Sequence, residues 1–164
     1  RLAVLSDISQ ERWDELQDTP VGRAPYGRFV QIRAFDCWMH EQDIRYAIRM
    51  PGHERGLPVE VTLDELASAM GFVVGKKAGA PQGSSVTFDL TGATSREIHV
   101  AVGERATVVE GLDGPATATL TMPVISFSRI AGGRLDAVEH LERCTISGDE
   151  HLGQAVLDNL NYTI

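Results

Sequence analysis

Hydrophobic and polar residues follow two different periods along this chain of 164 residues. In the first half, apolar residues recur every three to four positions, which is typical of helices with one buried face. The longest such stretch runs from Tyr26 to about Arg49 and ends at Pro51, since proline interrupts helices. It predicts a helix of about 22 residues, or six turns.

Two further helices are expected on either side of the long one. Ser9, followed by polar and acidic residues, indicates the start of the first. For the second, Thr62 is the expected N-cap and Glu65 completes a capping box, with residues 53–61 forming a loop before it. The residues expected on its buried side are Leu63, Leu66, Ala67, Met70 and Val74.

In the second half of the chain, apolar and polar residues alternate, which is typical of β-strands. The change of period follows Ala80–Ser84, a segment with proline and glycine. Strands are expected near 86–90, 98–102, 105–110, 118–122 and 144–146, and helices at 123–131 and after Asp149. The sequence therefore predicts an α+β fold, in which a helical part is followed by a domain with an antiparallel sheet.

Composition and charge narrow the classes of function. The formal net charge is −8, with 23 acidic and 15 basic residues, and this balance argues against nucleic-acid binding. No apolar run reaches the roughly 18 residues that a membrane-spanning helix needs, so a soluble cytoplasmic protein is expected. Cys37 and Cys144 fit no disulfide or metal pattern, and both are expected to be reduced, partly buried thiols.

Three ionisable residues lie on one side of the long helix. With about 100° per residue, His40 lies about 40° from Asp36 and Asp43 about 20° on the other side. Apolar residues on the same side are Phe29, Ile32 and Ala47. Ionisable groups on a buried face need partners, because burying them unpaired is costly.

Two explanations of this polar cluster remain open at the level of sequence. Arginines such as Arg33 and Arg45 satisfy the carboxylates, or the face is solvated. Alternatively, Asp36 and His40, on adjacent helical turns, chelate one metal ion, while Asp43 accepts the other ring N–H of the histidine and orients it.

The run from Arg33 to Gly52, RAFDCWMHEQDIRYAIRMPG, resembles the last bundle helix of the mycothiol-dependent maleylpyruvate isomerase family, within the DinB-like four-helix metal-binding superfamily. The similarity continues through GFVVGKKAGAPQGSSVTFDLTG to GDEHLGQAVLDNLNYTI and so covers the whole chain. The resemblance implies that residues 1–80 are the remainder of a DinB-like bundle. Residues 81–164 are implied to form a sterol-carrier-like α+β domain with an apolar groove between sheet and helices. Because the chain starts at Arg1, we expect a further N-terminal part.

The resemblance also implies a metal site. In the family, a carboxylate and a histidine four residues apart hold a divalent metal, usually taken as zinc. Asp36 and His40 match these positions, with aspartate replacing the more familiar glutamate, and Asp43 matches the acid three residues after the histidine. The family's third ligand, a histidine from an earlier helix, has no counterpart in these 164 residues.

The implied activity is that of a mycothiol-dependent isomerase or thiol transferase acting on a small electrophilic substrate. An arginine of the C-terminal domain is expected to reach the site, with Arg134 preferred over Arg129 and Arg143. The expected partners are the substrate, zinc and a low-molecular-weight thiol, without nucleic acid or membrane. The alternative is a non-catalytic module that binds a small molecule or lipid, in which the polar cluster is structural.

Overall fold

The computed structural model describes residues 6–19, 22–134 and 144–162. Its helices are α1 (Gln10–Asp14), α2 (Tyr26–Ala47), α3 (Leu57–Phe72), α4 (Val124–Ala131) and α5 (Glu150–Asp158), and α3 continues as a π-helical segment, Val73–Lys77. Its strands are β1 (Leu16–Thr19), β2 (Gly22–Pro25), β3 (Ser85–Thr91), β4 (Arg96–Val102), β5 (Ala106–Val109), β6 (Ala118–Pro123) and β7 (Thr145–Gly148). The predicted α+β class is confirmed. None of the helices in these ranges has the length and apolar character required to span a bilayer.

The main sheet has five strands in the order β5-β4-β3-β6-β7. Its pairings are antiparallel, as predicted, except that β3 and β6 run parallel. The parallel pair arises because the chain leaves the β5 edge and crosses to the other side of β3 before it forms β6. A separate hairpin, β1–β2, was not predicted and occupies the region expected only to interrupt the helices.

The predicted alternation of the strands accounts for the core. Side chains of β3, β4 and β6 that point to one side are buried: Val86, Phe88, Leu90, Ile98, Val100, Leu120 and Met122. Phe88 meets Phe127 of α4 with ring centroids 5.6 Å apart. Trp38 and Met39 of α2 belong to the same buried cluster, so α2 packs on the sheet-bearing part of the chain. The division of the chain at residue 80 stays a prediction.

Helix α3 begins six residues earlier than the sequence suggested. Gly56, with a φ of 89°, is the N-cap, and Pro58 lies in the first turn, where its missing N–H needs no partner. The loop predicted over 53–61 is therefore limited to 53–56, and the prediction of Thr62 as N-cap is wrong. Thr62 is buried inside the helix and donates its hydroxyl to the Pro58 carbonyl at 2.8 Å. The predicted buried side is confirmed, since Leu63, Leu66, Ala67, Met70 and Val74 are all buried.

Gly71 lets α3 approach β5 closely. A Cβ atom at this position would lie 2.7 Å from the carbonyl oxygen of Ala106, a backbone atom that cannot rotate away. We expect Gly71→Ala to lower the free energy of unfolding by about 1–2 kcal/mol, because overpacking outweighs a helix-propensity gain of about 1 kcal/mol. Urea denaturation measures the loss. Ser68→Ala, exposed one turn earlier, is the control and should stay within about 0.5 kcal/mol of wild type. A Gly71→Ala variant as stable as wild type would contradict the close packing.

Candidate functional site

Helix α2 turns a different side to the core than its apolar pattern suggested. Its buried residues are Trp38, Met39 and Gln42, which lie roughly 110° around the helix from Asp36. Phe29 and Ile32 are only half-buried and Ala47 is exposed. The side of α2 that carries the polar cluster is therefore solvated, which is one of the explanations that the sequence left open. The sequence pattern does not reveal the buried face, because Trp38 and Gln42 carry polar atoms whose hydrogen-bond partners lie in the loop that follows. Trp38 Nε1 donates to the His53 carbonyl at 2.9 Å.

The three polar residues of α2 nevertheless lie together on its flank. His40 stands between the two aspartates, with Nε2 3.3 Å from Asp36 Oδ1 and Nδ1 3.6 Å from Asp43 Oδ2. The His40 side chain is 63% exposed, whereas those of Asp36 and Asp43 are 37% and 34% exposed. The cluster therefore faces solvent at the edge of the core.

Arginines from two parts of the chain meet this flank. Arg33 Nη1 donates to Asp36 Oδ2 at 2.8 Å, as one explanation of the cluster expected. Arg45 does not join it and pairs with Glu41 at 2.8 Å instead. From α4 and the turn after it, Arg129 Nη1 and Arg134 Nε each lie 3.4 Å from an oxygen of Asp43. Arg143, the third candidate, lies outside the described residues.

The flank can be tested as a metal site by its own geometry. Two ligand atoms of one tetrahedral zinc, each about 2.0–2.1 Å from the ion, are about 3.3 Å apart. The 3.3 Å between Asp36 Oδ1 and His40 Nε2 fits this distance. Asp43 beside the other ring nitrogen fits the acceptor that usually orients a ligating histidine.

A third ligand is not available in the described ranges. Within residues 6–19, 22–134 and 144–162, no three His, Cys, Asp or Glu side chains are arranged to hold a metal. Catalytic zinc typically has three protein ligands.

Cys37 was expected to be partly buried but is exposed, because α2 turns that side to solvent. Cys144 is half-buried, as expected, and burial raises the pKa of its thiol.

A cleft of about 550 Å³ lies beside this flank, and no pattern in the sequence indicated it. It opens between the C-terminal half of α2, residues 49–54 and α4. The lining residues that matter for its chemistry are Arg45, Tyr46, Arg49, Glu54, Ile125 and Arg129. Arg129 is only 6% exposed, and its guanidinium carbon lies 4.1 Å from the centroid of the Tyr46 ring. This stacking is a cation–π contact that fixes the guanidinium group.

Arg49 occupies the left-handed position that ends α2. Its φ is 55°, its N–H donates to the Tyr46 carbonyl at 3.1 Å, and the N–H of Met50 donates to the Arg45 carbonyl at 2.9 Å. This pair of hydrogen bonds is a Schellman motif, in which the left-handed residue is usually glycine. An arginine there is held in a conformation unfavourable for residues with a Cβ atom.

We expect Arg49→Gly to raise the free energy of unfolding by about 0.5–1 kcal/mol, because glycine adopts this conformation without a Cβ clash. Thermal denaturation of the variant beside wild type measures the change. Arg49→Ala removes the same side chain but keeps the Cβ atom, so it should not be stabilised. Equal stability of the glycine and alanine variants would show that position 49 is not strained.

A second cleft, of about 600 Å³, is mainly apolar and lies between α1, α2 and the start of α3. Its apolar lining includes Trp13, Pro25, Val30, Ala34, Leu57 and Val61. The groove predicted between sheet and helices would occupy space that side chains such as Phe88, Leu120 and Phe127 fill with no exposure to solvent. The apolar cleft therefore lies in the helical part.

Comparison with solved structures finds sterol carrier proteins at low sequence identity. Sterol carrier protein 2 from Yarrowia lipolytica, in its apo form, is 13% identical, with a TM-score of 0.45 over 63% of this chain and 92% of that chain. Sterol carrier protein 2 like 2 from Aedes aegypti is 15% identical, with a TM-score of 0.48 over 61% and 97%. Domain 2 of the sterol carrier protein of Helicoverpa armigera is 14% identical, with a TM-score of 0.45 over 67% and 90%. No curated protein matches by sequence.

The family is shown by the sequence of the sheet-bearing part. Residues 60–155 match the MDMPI C-terminal domain, the C-terminal domain of the maleylpyruvate isomerase family. The match begins within α3 and ends within α5, so it covers the whole main sheet and more than half of the chain. This chain belongs to the MDMPI C-terminal domain family.

Proposed function

We propose that this chain is part of a mycothiol-dependent metalloenzyme, an isomerase or thiol transferase that acts on a small electrophilic substrate. The observation that supports the proposal is the approach of Asp36 Oδ1 and His40 Nε2 to 3.3 Å, the separation of two ligands on one zinc ion. The family match also supports the proposal, because the matched domain and α2, which carries Asp36 and His40, share one hydrophobic core.

The neighbours of the two ligands prepare them for a cation. Arg33 donates a hydrogen bond to Oδ2 of Asp36, so Oδ1 of the same carboxylate faces His40. Asp43, beside Nδ1, favours the tautomer that keeps a lone pair on Nε2 of His40. The third ligand has to come from outside the described residues. Asp36 and His40 are thus proposed as two ligands, and Asp43 as the residue that orients His40.

A divalent cation held by Asp36 and His40 would favour the thiolate form of a coordinating thiol at neutral pH. Mycothiol is the proposed thiol, and it would serve as the nucleophile towards the electrophilic substrate. Arg134 is the proposed catalytic residue from the C-terminal domain. Its Nε contacts Asp43 and its Nη1 donates to the Gly132 carbonyl, so its positive charge is held beside the ligand face. There it stabilises negative charge that develops on the substrate.

Zinc binding by the isolated chain tests this proposal. Because the described residues supply only two ligands, we expect equilibrium dialysis to show weak zinc binding, detected at high zinc concentration, and His40→Gln to lose it. His151→Gln, an exposed histidine in the first turn of α5, is the matched control and should bind zinc as wild type does. Circular dichroism of both variants reports whether the fold is kept. Equal zinc binding by wild type and His40→Gln would remove the basis for the enzyme.

A second candidate function is a non-catalytic module that binds a small molecule or lipid. The apolar cleft of about 600 Å³ beside Trp13 favours it. Trp13 and Trp38 are the two tryptophans of the chain, so Trp38→Phe leaves Trp13 as a single fluorescent reporter. Saturable quenching of Trp13 by dodecanoate, together with no zinc binding, would favour this module over the enzyme. Dodecanoate without effect on Trp13 would exclude the cleft as a lipid site.

A further inference from the structure

We propose that the cleft between α2, residues 49–54 and α4 binds the carboxylate group of a small organic acid, and that Arg129 recognises it. The proposed site is separate from the ligand pair on the α2 flank, since its lining contains neither Asp36 nor His40. It goes beyond the proposed function, because it requires neither a metal nor a thiol.

The hydrogen bonding of Arg129 leaves one edge of its guanidinium group unused. Among the described residues, both of its hydrogen bonds start from Nη1, to the Gln42 carbonyl and to Asp43 Oδ1, each at 3.4 Å. Its Nε is buried and has no partner in the described part of the chain. Buried donors are normally satisfied, so this orphan needs an explanation. A carboxylate that spans Nε and Nη2 would supply it, because guanidinium groups bind carboxylates through two parallel N–H donors.

The surroundings hold Arg129 in place without neutralising it. The Tyr46 ring stacks against the guanidinium group at 4.1 Å and restricts its rotation. The carboxylate of Asp43 is shared between Arg129 and Arg134, one oxygen to each, at 3.4 Å. One negative charge therefore faces two positive charges. The excess positive charge at Arg129 favours an anion in the cleft.

The other charges around the cleft leave the balance positive. Arg45 is neutralised by Glu41, whose pKa is lowered chiefly by its hydrogen bond with His53, so this carboxylate stays ionised. Arg49 and Glu54 are the remaining charged residues of the lining and offset each other. The local excess is thus one positive charge in a chain with a formal net charge of −8.

The residue at position 49 is a second, independent indication that the cleft binds an anion. Arginine stands there in a left-handed conformation that glycine would adopt more readily, and the side chain it provides is exposed at the cleft. Tyr46, Pro51 and Ile125 add apolar surface to the same cleft. The ligand class that matches both features is a carboxylic acid with a compact aromatic or aliphatic body.

Titration with benzoate, compared with its neutral analogue benzamide, tests the inference in zinc-free buffer. Calorimetry should show saturable benzoate binding and much weaker benzamide binding. Arg129→Gln should weaken benzoate binding by roughly tenfold or more, because a charged partner is lost from a buried contact. Arg49→Gly should weaken it while the melting temperature rises. Arg96→Gln is the matched control, since Arg96 pairs with Asp64 beside the sheet, and it should bind benzoate as wild type does.

Several outcomes would overturn the inference. Benzamide or sulfate binding as tightly as benzoate would show that the cleft does not select a carboxylic acid. An equal loss of binding in Arg96→Gln and Arg129→Gln would show that the effect is not local. If Arg129→Gln does not fold, Arg129→Lys and Arg49→Gly decide, and unchanged benzoate binding in both would contradict the assignment. Because no zinc is present, these results are independent of the zinc experiment on His40.

Discussion

Replacing Trp38 by alanine is expected to lower the free energy of unfolding by about 3–5 kcal/mol, the usual cost of removing a large buried aromatic side chain. Trp38 is 2% exposed and is the largest of the three buried side chains of α2. Its Nε1 also donates to the His53 carbonyl at 2.9 Å. The substitution therefore opens a cavity under α2 and removes a hydrogen bond to the loop that borders the cleft lined by Arg129. Urea denaturation followed by far-ultraviolet circular dichroism measures the loss.

Trp13→Ala is the matched control for the Trp38 substitution. Trp13 is only half-buried, and its ring meets Tyr26 edge-on with centroids 5.8 Å apart, near the beginning of α2. Its loss should cost less than about 2 kcal/mol, since part of its surface is already hydrated. Equal losses for the two variants would contradict the conclusion that Trp38 anchors α2 to the core.

Glu65→Gln is expected to cost about 2–3 kcal/mol, because it leaves the partly buried Arg28 without a counter-ion. Arg28 of α2 and Glu65 of α3 form a bidentate pair, with Nη1–Oε2 at 2.5 Å and Nη2–Oε1 at 2.8 Å. Their side chains are only 28% and 16% exposed, so solvent compensates little for the lost pair. Glu60→Gln, an exposed carboxylate on the same helix, is the control and should have little effect.

Tyr162 provides a second readout of this pair. Burial, and then the charge of Glu65, raise the pKa of Tyr162 to about 12, while Arg28 opposes the shift. The unfolded chain loses the tyrosine proton near pH 10, so the stability of wild type should fall as the pH rises from about 10 to 12. Glu65→Gln should lower the pKa of Tyr162, which NMR of labelled tyrosine detects. An unchanged pKa would contradict the proximity of the two side chains.

Much of the fold follows from local patterns, and the misses have identifiable causes. The 22-residue length of α2 and the buried alternation of β3, β4 and β6 were predicted because each depends on neighbouring residues. The early start of α3 was missed because Thr62 and Glu65 have the pattern of a capping box, whereas the helix begins at Leu57 with Pro58 in its first turn. The parallel β3–β6 pair depends on a crossover between distant segments, which no local pattern encodes.

In the candidate site, too, the features set by neighbouring residues were predicted, whereas those that depend on distant contacts were not. The approach of Asp36, His40 and Asp43 follows from helical spacing, so the sequence alone predicts it. Which side of α2 is buried does not follow, since Trp38 and Gln42 are recognisable as core residues only once their partners in the loop are known. The contact of Arg129 with Asp43 spans 86 residues, and the unused edge of its guanidinium group is visible only in the folded chain.

The most direct test of the metal proposal is NMR of the histidine ring nitrogens during a zinc titration. The arrangement of the flank, with Nε2 towards Asp36 and Nδ1 towards Asp43, predicts that zinc shifts Nε2 of His40 and leaves Nδ1 protonated. Asp36→Asn should weaken the response, and the rings of His53 and His99 should not respond. A titration in which His40 does not change, or in which its Nδ1 binds the metal, would contradict the proposed role of this helix.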